Sequence, residues 1–139
     1  MSFLLDTCVV SDLTRGKYPI LDRNIRAVST EEVAISTVTV YEIHFGLANS
    51  LLRGKPPTNP ILRLSRHVIQ TMRQIPFDEA SARTSGELRA ELNRLGTPIG
   101  PYDLLLAGTA MAHGLTFVTR NRKVFSRIQG LQLADWYRG

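Results

Sequence analysis

"SFLLDTCVVSDLTRG" (residues 2–16) contains the strand–helix pair on which the fold prediction rests. Its first part, "SFLL" (2–5), is a short apolar run and predicts a buried β-strand. The following "TCVVSDLTRG" predicts a short helix that ends at Gly16, since glycine suits the left-handed conformation that closes many helices. Asp6 lies at the junction of the two elements. A strand that leads directly into a helix is typical of α/β folds.

The same order of elements continues along the chain. Further strands are predicted over residues 33–36, 74–77, 115–119 and 131–134. Helices are predicted over residues 19–29, 39–53, 60–72, 79–95, 101–113 and 121–128. Thr39 and Asp78 are the predicted N-caps of two of them. This alternation predicts an α/β fold of three layers, in which helices cover both faces of a central parallel sheet of four or five strands.

Length and composition predict a single domain that spans residues 1–139. The sequence has no run of about 18 apolar residues, so no membrane-spanning helix is expected. Its first residues lack the basic region of a secretory signal peptide. Cys8 is the only cysteine, which excludes an internal disulfide. Together these features predict a cytoplasmic protein.

The charge balance favours a polyanionic partner. Seventeen basic residues face twelve acids, and fourteen of the seventeen are arginine. The arginine side chain carries a planar fork of donors that matches pairs of phosphate oxygens. A basic protein of this kind is expected to bind nucleic acid, although a net charge of +5 also serves solubility alone.

Most of the twelve acids have ordinary surface surroundings. Several lie three or four residues from a basic residue on a predicted helix, which is typical of solvent-exposed pairs. Asp12, three residues before Arg15, is interpreted as a surface acid of this type.

Three acids are different, because each lies in apolar sequence where an isolated carboxylate would be costly to bury. They are Asp6, Glu42 and Asp103. Each follows a predicted strand or lies in the early turns of a helix, so a parallel sheet would bring all three to one edge. Their mutual repulsion would be relieved by a hard divalent cation such as Mg²⁺. Helix capping or pairing with a distant arginine remains an alternative for each acid taken alone.

Four segments also occur in the order and spacing of a known family. They are "LLDTCVVSDL" (4–13), "ISTVTVYEIHFGL" (35–47), "GPYDLLLAGTAMAHGL" (100–115) and "FVTRNRKVF" (117–125). The chain resembles the PIN-domain ribonucleases and, more narrowly, the VapC toxins of bacterial toxin–antitoxin pairs. The stretch over residues 89–103 is similar to a VapC subgroup that cuts tRNA in the anticodon region.

The resemblance implies a PIN-like three-layer fold and roles for the three acids. Asp6, Glu42 and Asp103 match the family's catalytic core acids, which hold Mg²⁺ or Mn²⁺. In the family, a fourth acid often lies just after the "VT" strand, at the place of Asn121 or near it. This chain has Asn121 and Val124 there, so Asn121 is a candidate metal ligand that offers a carbonyl oxygen without a charge.

Two hydroxyls and a basic cluster complete the candidate site. Thr7 and Thr119 match family positions beside the acids and are expected to orient ligands or water. The expected contacts to the RNA backbone are Arg120, Arg122, Lys123 and Arg127.

The predicted function is that of a metal-dependent endoribonuclease, the toxin of a type II toxin–antitoxin pair. RNA, with tRNA favoured, is the expected substrate. The resemblance alone implies two further partners: a VapB-type antitoxin, and a second copy of the chain in a homodimer and a larger toxin–antitoxin assembly. Two alternatives remain on the same fold: a non-catalytic RNA-binding or scaffold protein, and a phosphoryl-handling module. A receiver-like module would usually show adjacent acids after the first strand, whereas Asp6 is followed by Thr7 and Cys8.

Overall fold

The structure is a computed structural model, and it describes residues 2–139. Its five strands are β1 (Phe3–Leu5), β2 (Val33–Ser36), β3 (Arg73–Ile75), β4 (Thr116–Val118) and β5 (Leu133–Ala134). Its α-helices are α1 (Thr7–Arg15), α2 (Pro19–Arg26), α3 (Thr37–Leu52), α4 (Asn59–Thr71), α5 (Glu79–Arg94), α6 (Pro101–Ala112) and α7 (Arg122–Phe125). One 3₁₀ turn, Thr30–Glu32, precedes β2.

The strands form one parallel sheet in the order β3-β2-β1-β4-β5. β1 is the central strand, paired with β2 on one side and β4 on the other. All strands point the same way, so their carboxyl ends share one edge of the sheet. This arrangement confirms the predicted α/β fold with a five-stranded parallel sheet.

Side chains alternate between the two faces of the sheet, as the strand geometry requires. Leu4 packs with Ala34 and Phe117 in a core shared with α5 and α6. Leu5 packs with Val118 in a second core, shared with α1 and α2. Because helices cover both faces of the sheet, the inner strands β1, β2 and β4 are mostly buried and apolar, whereas the edge strand β3 exposes Arg73 and Gln74.

Three helix boundaries differ from the prediction by two residues or more: α2 ends at Arg26 and not at residue 29, α7 ends at Phe125 and not at residue 128, and α3 begins two residues early. The predicted N-cap Thr39 is wrong: the helix begins at Thr37, and Ser36 is its N-cap, with a side chain that accepts a hydrogen bond from the Val38 N–H at 3.0 Å. Thr39 is instead buried inside the first turns of the helix. The predicted cap Asp78 is confirmed, since its Oδ1 accepts from the Ser81 N–H at 2.9 Å.

A close contact between α5 and α6 fixes the helix that carries Asp103. At Gly108, an added Cβ would lie 1.9 Å from Ser85 Oγ and 2.9 Å from Ser85 Cα. Only glycine therefore allows the two helices to approach this closely. In residues 2–139, no helix combines the length and apolarity needed to cross a membrane.

Candidate active site

A cleft of about 410 Å³ opens at the carboxyl edge of the sheet. The side chains that line it are Asp6, Thr7, Cys8, Ser11, Glu42, Asp103, Arg120 and Asn121. The three acids singled out in the sequence therefore meet in one cleft. They come from the end of β1, from α3 and from the first turn of α6, which are brought together by the pairing of β2 and β4 with β1.

Asp6 is the most buried of the three acids, with 5% of its surface exposed. Its backbone N–H donates to the Val118 carbonyl at 2.9 Å, which anchors the residue between β1 and β4. Its Oδ2 accepts a hydrogen bond of 2.8 Å from the Thr119 hydroxyl, which itself accepts from the Asn121 N–H at 3.0 Å. Thr119 thus fixes one carboxylate oxygen of Asp6.

The Cys8 thiol also donates to Oδ2 of Asp6, at 3.3 Å. Burial, followed by the negative charge of Asp6, raises the pKa of Cys8 to about 12. The thiol therefore stays protonated at neutral pH and is a poor nucleophile.

Glu42 is held by a pair of threonines. The Thr7 hydroxyl donates to Oε1 of Glu42 at 2.8 Å and lies 2.9 Å from the hydroxyl of Thr39. Since Thr7 uses its proton on the carboxylate, Thr39 donates to Thr7. Burial raises the pKa of Glu42, the hydrogen bond from Thr7 opposes that change, and the charge of Asp6 adds to it.

Asp103 lies in the first turn of α6, after Pro101 at the start of the helix. Its pKa is raised, first by burial and then by the negative charges of Asp6 and Glu42. The three carboxylates therefore influence one another electrostatically, as expected for acids that share a cleft.

The donor set suits a hard cation. It consists of carboxylate oxygens and the Asn121 amide, with no imidazole, and the one thiol is protonated, which matches the oxygen preference of Mg²⁺ and Mn²⁺. Among the described residues, however, no three His, Cys, Asp or Glu side chains are already gathered closely enough to hold an ion. The acids share the cleft, and joint binding of one ion would require their side chains to turn toward it.

Asn121 lines the cleft and Val124 does not, so neither of these two positions supplies a fourth carboxylate. Val124 packs against the core on the α5–α6 side of the sheet. Asn121 precedes α7, but its side chain makes no capping hydrogen bond. The amide is therefore not committed to the helix that follows.

The predicted basic cluster is divided by the structure. Arg120 lines the cleft, whereas Arg122 and Lys123 are exposed on α7 outside its lining. Arg127 is also outside the lining, and it donates to the Pro98 carbonyl at 3.3 Å. Only Arg120 is positioned beside the acids.

The interpretation of Asp12 as a surface acid is wrong. Its carboxylate is 11% exposed and accepts from Arg120 at 3.1 Å and from the Tyr137 hydroxyl at 2.5 Å. These partners lie 108 and 125 residues away in the sequence. No local spacing signals such contacts, so only the fold reveals this acid.

Comparison with known proteins identifies the fold family. A protein-family model described as PIN domain matches residues 3–131. The chain belongs to the PIN-domain family. This confirms the resemblance seen in the four sequence segments.

Several relatives of this PIN domain are ribonucleases by name. The present chain is 35% identical to the tRNA(fMet)-specific endonuclease VapC of Salmonella typhimurium over 136 residues, which cover 98% of each chain. It is also 35% identical to the VapC ribonuclease Y4jK of Sinorhizobium fredii, over 88% of this chain and 89% of the relative. The crystal structure of DNA-bound VapBC from Salmonella typhimurium superposes with a TM-score of 0.83 at 33% identity, covering 98% of both chains.

Proposed function

We propose that the protein is a metal-dependent endoribonuclease, the toxin of a toxin–antitoxin pair, and that it cleaves tRNA. The observation that carries this proposal is the meeting of Asp6, Glu42 and Asp103 in one cleft of a PIN domain. The names of relatives, which include tRNA(fMet)-specific endonuclease, support the reaction and the substrate class.

The three acids would hold Mg²⁺ or Mn²⁺, with the Asn121 amide as a neutral additional ligand. When bound, such an ion would lower the pKa of a bound water molecule and stabilise the charge that develops on the phosphate. The protein's own part is to hold the carboxylates in place. Thr119 fixes Asp6, and Thr7 with Thr39 fixes Glu42.

The shape of the site favours a single-stranded target. The acids lie in a cleft at the edge of the sheet and Asp6 is only 5% exposed, so a regular duplex would keep its backbone away from the carboxylates. A loop presents unstacked nucleotides that can enter. Together with the resemblance of residues 89–103 to tRNA-cutting relatives, this favours the anticodon loop of a tRNA.

The proposed partners follow from the relatives. VapBC complexes bound to DNA are among the structural neighbours, which supports an antitoxin partner for this chain. A homodimer within a larger toxin–antitoxin assembly is proposed with it. A groove of about 350 Å³ between α1, α3 and α4 shares Thr7, Ser11 and Glu42 with the acid cleft. An antitoxin segment lying in this groove would end beside the acids and block them.

The test is cleavage of a panel of purified tRNAs and unstructured RNAs in Mg²⁺, in Mn²⁺ and in excess chelator. We expect cleavage of one or a few tRNAs that requires the metal and is lost in Asp103→Asn. Binding of RNA without cleavage in either metal would instead favour the non-catalytic RNA-binding alternative.

A further inference from the structure

Arg120 extends from the loop after β4 into the acid cleft. It is the one basic side chain among the described residues that line the cleft. The other lining charges are the three carboxylates, which repel a polyanion. RNA that approaches the acids therefore meets one guanidinium at the same place.

The Arg120 side chain is held by Asp12 and Tyr18, and both of these contact Tyr137. The three residues are here called the Arg120 cradle. Nη1 of Arg120 donates to Oδ2 of Asp12 at 3.1 Å and to the Tyr18 hydroxyl at 2.9 Å. The guanidinium carbon also lies 5.8 Å from the centre of the Tyr18 ring, within range of a cation–π contact.

Tyr137 completes the cradle from the far end of the chain. Its hydroxyl donates to the same Oδ2 of Asp12 at 2.5 Å, and its ring packs edge-to-face on Tyr18 with 5.1 Å between the ring centres. Asp12 thus has its charge covered by two donors and is nearly buried. It can orient Arg120 without presenting a free carboxylate to RNA.

Half of the Arg120 side chain remains exposed. Within residues 2–139, its side-chain hydrogen bonds are all made by Nη1, so Nη2 and Nε keep their donors for another group. An arginine with one nitrogen fixed and the others open is suited to two parallel hydrogen bonds to phosphate oxygens.

We propose that Arg120 binds a phosphate of the RNA strand in the acid cleft, and that Asp12, Tyr18 and Tyr137 are positioning residues that hold its guanidinium there. This inference rests on the proposed ribonuclease function and adds the residue that places the backbone. It also separates Arg120 from Arg122, Lys123 and Arg127, which lie outside the cleft. If the cradle served only to attach residues 135–139 to α1, changing its residues in a folded protein would leave RNA binding and cleavage unaffected.

The experiment compares tRNA cleavage by the wild type with Arg120→Ala, Arg120→Lys and Tyr137→Phe, all at saturating Mg²⁺. The control is Arg138→Ala, which removes an arginine that is 85% exposed and pairs with Asp135 outside the cleft. Thermal unfolding of each variant verifies that it is folded.

We expect kcat/KM of Arg120→Ala to fall roughly ten- to hundredfold, because the variant loses a charge-assisted pair of hydrogen bonds to the phosphate. The fall should arise mainly from a higher KM. Arg120→Lys keeps the positive charge but loses the planar pair of N–H donors, so an intermediate loss in kcat/KM is expected. Tyr137→Phe should show a smaller loss, and the double variant Arg120→Ala/Tyr137→Phe should be no worse than Arg120→Ala alone. In the inactive Asp103→Asn background, removal of Arg120 should lower the salt dependence of RNA binding by about one phosphate contact.

Three results would overturn the inference while the wild type still cleaves: Arg120→Ala within twofold of Arg138→Ala, an unchanged salt dependence, or additive losses in the double variant. Failure of the ribonuclease proposal is a different result, since the wild type itself would then cleave no RNA and the Asp103→Asn variant would match it.

Discussion

Thr119 donates a hydrogen bond of 2.8 Å to Asp6 across 113 residues of sequence. The contact exists because β4 lies beside β1, so the residues that follow the two strands meet at the sheet edge. The hydroxyl is fully buried and also accepts from the Asn121 N–H, so it joins an acid of the cleft to the loop that carries Asn121.

Thr119→Val should therefore destabilise the protein and impair cleavage. Valine has the same shape but leaves Oδ2 of Asp6 with only the weak Cys8 thiol as a donor and removes the acceptor of the Asn121 N–H, at a cost of about 1–3 kcal/mol. Urea unfolding measures the first effect and tRNA cleavage the second. Thr119→Ser keeps the hydroxyl and should retain most of the cleavage activity. Equal behaviour of the valine and serine variants would show that this hydrogen bond contributes little.

Asp103→Asn should abolish cleavage and raise the melting temperature of the metal-free protein at neutral pH. The pKa of Asp103 is raised by burial and by the neighbouring acids, so its ionised form is disfavoured in the folded state. An amide of the same shape removes that penalty along with a proposed metal ligand. Glu87→Gln, a change at an exposed acid on α5, is the matched control. An Asp103→Asn variant that cleaves normally in Mg²⁺ would contradict the proposed role.

The stabilisation by Asp103→Asn should depend on pH. A carboxyl whose pKa is higher in the folded than in the unfolded state disfavours folding above its folded pKa, and the penalty vanishes below the unfolded value near 3.8. The difference in melting temperature between variant and wild type should therefore shrink as the pH falls from 7 toward 4. A difference that stays constant over this range would show that charge is not its origin.

Asn121→Asp should lower the Mg²⁺ concentration needed for half-maximal cleavage. The amide lines the cleft and does not cap α7, so a carboxylate at this position would add a charged oxygen where the three acids already lie. The measurement is a Mg²⁺ titration of tRNA cleavage for both proteins. Superimposable curves would remove position 121 from the metal site.

Gly108→Ala should destabilise the protein, by about 1–3 kcal/mol, because the new methyl group would overlap Ser85 and force α5 and α6 apart. The control is Gly86→Ala on the same helix pair, where an added Cβ meets nothing within 4 Å. That change should stabilise the protein by about 0.5–1 kcal/mol through helix propensity alone. Chemical denaturation of the two variants tests both signs, and a Gly108→Ala variant as stable as Gly86→Ala would show that the helices separate freely.

The sequence was sufficient for the features that depend on local pattern. The apolar runs at Leu4–Leu5 and at residues 33–36 predicted buried strands, and the acids after them predicted a shared edge, because parallel strands end together. The predictions that failed concern residues whose contacts are with residues far away in the sequence. Asp12 and Arg15 looked like a surface pair, but Asp12 binds Arg120 and Tyr137, and no sequence period links residues so far apart. Similarly, Ser36 and Thr39 are both reasonable caps for α3, and burial of Thr39 against Thr7 decides between them.

The order of strands in the sheet also bears on when the cleft first exists during synthesis. β1 leaves the ribosome early, but its neighbour β4 begins at residue 116, and Asp6 stays exposed and without Thr119 until that strand has emerged and docked. Asp103 lies in α6, shortly before β4 in the chain, and Arg120 follows β4. The complete cleft therefore requires nearly the whole chain, so the site proposed for RNA cleavage is finished only when synthesis of the domain is almost complete.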